Sequence, residues 1–269
     1  MVNIIGYPIV MGILNVTEDS FFDGGRYRTD AAVLKRAEQI LSEGAAIIDI
    51  GAVSTRPGAA DVSAEEEWAR LQPALQQILR EFPAAVISVD TWRAEVARMS
   101  VENGAAIIND ISGGTFDAAM PEVVAASHVP YVMMHTTAKP AQMQLQTISG
   151  DLWETVFQFF DRQLAVFRAA GASDIILDPG FGFGKTLEQN YQLMNGLERF
   201  KKYGLPILVG ISRKSMIYKF LETNPDGALN GTAVLNTIAL MKGADILRVH
   251  DVKEAVEAVQ IVNQLKIEN

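Results

Sequence analysis

The chain has 269 residues, 49% apolar and 20% charged, enough for one globular unit, or two, whose core needs no staples. It has no cysteine, which excludes disulfides, thiolate metal sites and thiol nucleophiles, and His128, His135 and His250 never fall at H-x-x-x-H zinc spacing. A formal net charge of −9 argues against nucleic-acid or anionic-membrane partners, so any anionic substrate must be held by a few local cations or a metal ion.

Eight short aliphatic runs follow one another along the chain: residues 8–14, 45–50, 84–89, 105–109, 129–134, 173–177, 206–211 and 245–249. Each is apolar on both faces, as a buried parallel strand should be. Helical patterns lie between them. Residues 151–168 place Leu152, Val156, Phe160, Leu164 and Phe167 on one stripe. Ser63 with Glu66, Thr186 with Gln189 and Asp251 with Glu254 read as capping boxes, and Lys185 and Thr186 as the plain start of a helix. Glycine–alanine pairs at 44–45, 104–105, 171–172 and 243–244 recur where a helix hands over to a strand. Eight such units in one uninterrupted chain predict a single-domain TIM (β/α)8 barrel over residues 1–269, with a doubly wound sheet as the alternative. The N-terminal apolar stretch is broken by Pro8 with no basic segment before it, and no apolar run is long enough to span a bilayer; the expectation is a cytoplasmic protein.

In a barrel, chemistry gathers where the strands end. Here those ends carry Asn15, the segment STRPG (54–58), Asp90, Asn109-Asp110, His135, Asp178, Ser212-Arg213-Lys214, and Arg248 with His250. Asp90, Asn109, Asp178 and Lys214 suit the edge of a flat heterocycle: carboxylates accept from an amino group and ring N–H, and a lysine donates to an exocyclic oxygen. Arg56, Arg248, His250 and Asn15 suit pyrophosphate, with an amide oxygen free for Mg²⁺. The stretch DPGFGFGKT (178–186) nearly spells a phosphate loop, but Pro179 stands where the first glycine should be. Its glycines instead let backbone run close beneath a flat ligand. Long connections at 15–29, 51–62 and 135–149 have the length of closing loops. Asp49, inside the second run, reads as structural, and Trp68, Trp92 and Trp153 as packing residues.

GILNVTEDSFFDGG (12–25), STRPGA (54–59), VDTWR (89–93), NDISGG (109–114), DPGFGFGK (178–185), GISRKS (210–215) and RVHD (248–251) together resemble, in order and across nearly the whole chain, the motif set of the dihydropteroate synthase family. The resemblance implies condensation of 6-hydroxymethyl-7,8-dihydropterin pyrophosphate with p-aminobenzoate, with Mg²⁺ as cofactor and a homodimer as the assembly. It implies that Asp90, Asn109, Met134, Asp178 and Lys214 hold the pterin, and that Asn15, Thr55, Arg56, Arg248 and His250 hold pyrophosphate, Asn15 also touching the metal. Thr55, Pro57, Phe183, Lys214 and Ser215 would hold the aminobenzoate, its carboxylate facing the N-terminus of the helix after the seventh strand. Asp90, Asp178, Lys214, Arg248 and Asp19 are the implied catalytic set. Two departures stand out: Glu18 replaces a usual proline, and Ala52-Val53 replaces a glycine–glutamate pair; the residues around His135 also diverge. A corrinoid-pathway pterin methyltransferase and a non-catalytic pterin-binding paralogue are the competing readings. The first has no use for STRPG or for Arg248 with His250.

Overall fold

A computed structural model describes residues 6, 8–16, 26–53, 62–143 and 145–266. Strands and helices alternate: β1 (Ile9–Asn15), α1 (Arg26–Ser42), β2 (Ile47–Gly51), α2 (Ala64–Glu81), β3 (Ile87–Asp90), α3 (Ala94–Glu102), β4 (Ile107–Asp110), α4 (Met120–Ser127), β5 (Tyr131–Met134), α5 (Leu152–Ala170), β6 (Ile175–Asp178) and α6 (Leu187–Asn195). Then come β7 (Leu208–Val209), the single turn α7 (Ser215–Tyr218), α8 (Leu229–Met241), β8 (Ile246–Val249) and α9 (Val252–Lys266). All strand pairs are parallel, in the order β6-β5-β4-β3-β2-β1-β8-β7, and a bridge from Leu177 to Ile207 brings β6 to β7, so the sheet nearly closes on itself. This is the expected (β/α)8 barrel.

The Gly-Ala joints explain why β2 and β4 begin later than the apolar runs 45–50 and 105–109 do. Gly44 takes φ +95°, its N–H bonds the Leu41 carbonyl, and the Ala45 N–H reaches back to the Ile40 carbonyl. That is a Schellman cap, and it assigns Gly44 and Ala45 to the end of α1. The same pair of bonds closes α3, α5 and α8 at Gly104-Ala105, Gly171-Ala172 and Gly243-Ala244. At the N-termini, Thr186 and Gln189 complete a full capping box on α6, whereas at α2 Ser63 caps the Glu66 N–H and the Glu66 carboxylate turns to Arg70.

Strand alternation sorts the core into layers. Outward residues such as Val10, Ile48, Val89, Ile108, Leu177 and Leu247 pack against helices, including the stripe Leu152, Val156, Phe160, Leu164 and Phe167 of α5, all five buried. Inward residues form a smaller layer at the lower end of the barrel: Ile9, Met11, Ile47, Ile107, Val132, Ile176, Leu208 and Ile246. Two residues further along the strands, on the same inward face, the barrel turns polar.

Candidate active site

That step of two residues leads from Ile47 to Asp49, from Ile107 to Asn109, from Ile176 to Asp178 and from Ile246 to Arg248, and β3 contributes Ser88 and Asp90. Asp49, with no exposed surface, is the anchor. Its Oδ2 accepts from Arg248 Nε at 2.6 Å and from Asn109 Nδ2 at 3.0 Å. Arg248 Nη2 donates to Asp90 Oδ2 at 2.7 Å, so one guanidinium spans two carboxylates. Asp49 and Asp90 raise the Arg248 guanidinium above its ordinary value although burial opposes them, which keeps the charge in place.

The acids are under-satisfied. Asp49 Oδ1, Asp90 Oδ1 and Ser88 Oγ are buried without a hydrogen-bond partner among the described residues. Burial pushes the Asp90 carboxyl up to about 7 against the downward pull of Arg248. Burial also raises Asp178, opposed by Lys214 and by the Gly180 N–H that donates to its Oδ1 at 2.8 Å. Buried acceptors that lack donors cost free energy until a ligand supplies the N–H groups. Lys214 reaches in from the β7 side, donating to the Phe181 carbonyl at 2.6 Å and lying 4.6 Å above the Phe183 ring. Burial lowers its ammonium to about 8, offset by Asp178.

Beside this edge stands an apolar wall of Trp92, Ile111, Met134, Met143 and Phe183. Met134 and Phe183 were expected near the ligand. Trp92, expected only to pack, belongs to the same wall, edge-on to Phe116 at 6.4 Å. A flat heterocycle fits such an arrangement, its edge toward the acids and lysine and its face toward the wall.

Toward the rim, burial and then Arg248 lower His250 to about 4, so its imidazole is neutral. Ser212 Oγ lies 3.1 Å from both the His250 backbone nitrogen and Nδ1. That oxygen accepts the backbone N–H; in the tautomer in which its own proton goes to Nδ1, the ring proton sits on Nε2 as a donor to an anion. Asn15 ends β1 exposed at the rim. Among the described residues no cluster of three or more His, Asp or Glu side chains could hold a metal.

Arg248, which the resemblance assigns to pyrophosphate, sits between Asp49 and Asp90. Other expectations need correction. Asp251 does not act through a capping box: its two oxygens accept from Arg213 Nε and Nη2 at 2.9 and 2.7 Å, fixing the residue after Ser212. Lys185 is no mere helix start but a buried ammonium. The helix at Ser215 is one turn long, too short for a macrodipole, so Ser215 stands half-buried on a loop-like segment. In the connection after β5, Met143 and Ile148 are buried and the Ile148 N–H bonds the Gly184 carbonyl. Asp19, Thr55, Arg56 and Pro57 lie outside the described residues, as does Glu18.

Fold and site together define a barrel enzyme that reads a flat nitrogen heterocycle at the C-terminal ends of its strands. The pterin binding enzyme family matches residues 11–250, and the chain belongs to that family. Dihydropteroate synthase of Escherichia coli strain K12 is 45% identical over 260 residues, which cover 96% of this chain and 92% of that protein. Among solved structures, dihydropteroate synthase of Clostridium difficile crystallised with pteroic acid superposes with a TM-score of 0.91 at 35% identity, covering 97% of this chain and 98% of that one. The Xanthomonas albilineans dihydropteroate synthase with 4-aminobenzoic acid gives 0.90 at 36% identity, covering 98% and 94%.

Proposed function

We propose that this chain is a dihydropteroate-forming transferase, which joins 6-hydroxymethyl-7,8-dihydropterin pyrophosphate to p-aminobenzoate and releases pyrophosphate. The observation that carries the reading is the set of unmatched buried acceptors, Asp49 Oδ1, Asp90 Oδ1 and Ser88 Oγ, beside Asn109, Asp178 and Lys214. The amino group and ring N–H of a pterin are the donors this edge lacks, and Lys214 suits the exocyclic oxygen. The relatives named above carry the same activity in their names.

The aryl amine needs no strong base, being unprotonated at neutral pH, so catalysis acts on the leaving group. Loss of pyrophosphate is dissociative: the C–O bond to the pterin methylene breaks first, the pyrophosphate takes the electron pair, and the ring shares the positive charge. Asp178 and Asp90 stabilise that cation. The neutral His250 Nε2–H and Asn15 bind the departing anion, and Thr55, Arg56 and Asp19 belong to the same part of the proposal. The amine nitrogen then forms the new bond to the methylene and gives up a proton.

In this reading Asn15 is the residue that would hold Mg²⁺, which would supply positive charge to the leaving pyrophosphate. One neutral amide at Asn15 and no acidic cluster among the described residues fit an ion that keeps its waters and takes most of its ligands from phosphate oxygens. The assembly is a homodimer and the location the cytoplasm. Supporting the dimer, Val234, Ile238 and Met241 of α8 and Ile261 and Leu265 of α9 are exposed aliphatic side chains on adjacent helices, a face suited to a second copy. No described helix is long and apolar enough to cross a membrane.

The test is pyrophosphate release from the pterin pyrophosphate with Mg²⁺, with and without p-aminobenzoate. Release that depends on aminobenzoate and falls by about two orders of magnitude in Lys214→Ala is the expected result. A folded protein that binds the pterin and releases nothing would make it a binding paralogue.

A further inference from the structure

Lys185 is 5% exposed, and among the described residues its ammonium bonds no carboxylate. Instead its close contacts are neutral acceptors: the Gly180 carbonyl at 2.9 Å, the Phe183 carbonyl at 3.0 Å and His135 Nδ1 at 2.9 Å, with the His135 carbonyl farther off at 3.5 Å. The first two belong to the loop after β6, and the third belongs to the residue after β5. The loop is clamped from the other side as well, because the Phe181 carbonyl accepts from Lys214. Residues 180–184 thus run between two ammonium groups, with Asp178 at the start and Phe183 near the end.

Close contact completes the joint. A Cβ on Gly180, whose φ is +72°, would stand 1.9 Å from the His135 carbonyl oxygen, and one on Gly184 would stand 1.8 Å from Thr137 Oγ1. The loop after β6 therefore lies flush against the loop after β5. His135 meets Phe159 of α5 edge-on at 4.9 Å.

We propose that Lys185 is a positioning residue for the pterin-binding edge: by tying the backbone of residues 180–184 to His135 it fixes Asp178, Phe183 and the carbonyl that holds Lys214. The proposal rests on the transferase reading above. Electrostatics agree with a positioning role. Burial draws the Lys185 ammonium down to about 7, with Asp178 pulling the other way and Lys214 adding to the fall. Burial, and then Lys185, holds His135 well below the usual imidazole range, and since the Lys185 ammonium can only donate, Nδ1 is the acceptor between them. Burying an ammonium in contact with neutral acceptors only is a poor way to gain stability. It is a good way to draw two carbonyls and an imidazole to one point.

The experiment measures binding of two probes, 6-hydroxymethylpterin and inorganic pyrophosphate, to wild type and Lys185→Met, with circular dichroism and a melt to show folding. Lys185→Met is expected to weaken the pterin about tenfold, the scale of a lost charge-assisted bond, and to leave pyrophosphate within about twofold. Pterin affinity unchanged, or both probes weakened together, would overturn the proposal. If Lys185→Met does not fold, His135 carries the test: His135→Leu removes the acceptor and loses pterin affinity, whereas His135→Asn keeps an amide acceptor and restores it. Equal affinities in those two variants would overturn it as well. Wild-type protein that binds no pterin would sink the transferase reading itself, a different result from any of these.

Discussion

The lower and upper halves of the barrel interior are built on the same strands, on the same inward face, two residues apart. The lower half closes with Ile47, Ile107, Ile176 and Ile246, fully buried or nearly so and clustered with other apolar side chains. The upper half replaces them with Asp49, Asn109, Asp178 and Arg248 and leaves acceptors without donors. Geometry is shared; what differs is whether each buried group is satisfied. The lower layer gains from burial with no ligand present, at about 25 cal/mol per Å² of apolar surface. The upper layer carries a desolvation cost that only the right ligand offsets, which is how a rigid scaffold becomes selective.

Breaking the comparison should cost most at Asp49. Asp49→Ala leaves the Arg248 charge half-paired and the Asn109 amide unheld; the expected loss is about 3–5 kcal/mol of stability, read from denaturant midpoints, together with loss of pterin binding. A smaller and different penalty is expected one layer down. Ile107→Ala should lose about 2–5 kcal/mol by leaving a cavity, yet turnover per folded molecule should stay within about threefold of wild type. If both variants lose activity in proportion to stability, the two halves are not separate in function.

The smallest effect sharpens the comparison through pH. Asp90 is raised from 3.8 to about 7 in the free protein, and a pterin needs its carboxylate. Binding must then expel a proton at low pH, so the dissociation constant should rise as pH falls, approaching about tenfold per unit below the Asp90 value. Arg248, Asp49, Glu67 and Asp110 are the charged groups acting on Asp90. The same carboxyl works against folding: its raised value means stability falls as pH rises from about 4 to about 7, where the folded chain must give up a proton it holds more tightly than the unfolded one. An Asp90→Asn variant should remove both slopes.

Much of the barrel was legible because parallel strands buried on both faces read as aliphatic runs and helix exits repeat the same Gly-Ala joint. Two of the runs were started too early for one reason: Ala45 and Ala105 look like strand but close a Schellman cap. In the site, Asp90, Asn109, Asp178 and Lys214 were visible because they sit at strand ends beside polar loops. Asp49 was missed because a lone carboxylate in an aliphatic run looks structural. Counting by twos from Ile47, in register with Ser88 of β3, would have put it on the inward face. Lys185 and Asp251 were misread because their backbone does begin or precede a helix, while the side chains turn back to partners far off in sequence. His135 lies 50 residues from Lys185, and Arg213 lies 38 from Asp251. No local pattern encodes such pairs.

The central claim is that the upper ring is an unfinished hydrogen-bond edge completed by a pterin. Calorimetric titration of 6-hydroxymethylpterin into wild type and Asp178→Asn tests it most directly. The account predicts one saturable site in wild type and a loss of about a hundredfold in the variant, with pyrophosphate affinity kept, because an amide in that place turns a donor toward the pterin's own N–H groups. Equal affinity of the two proteins for the pterin would contradict it.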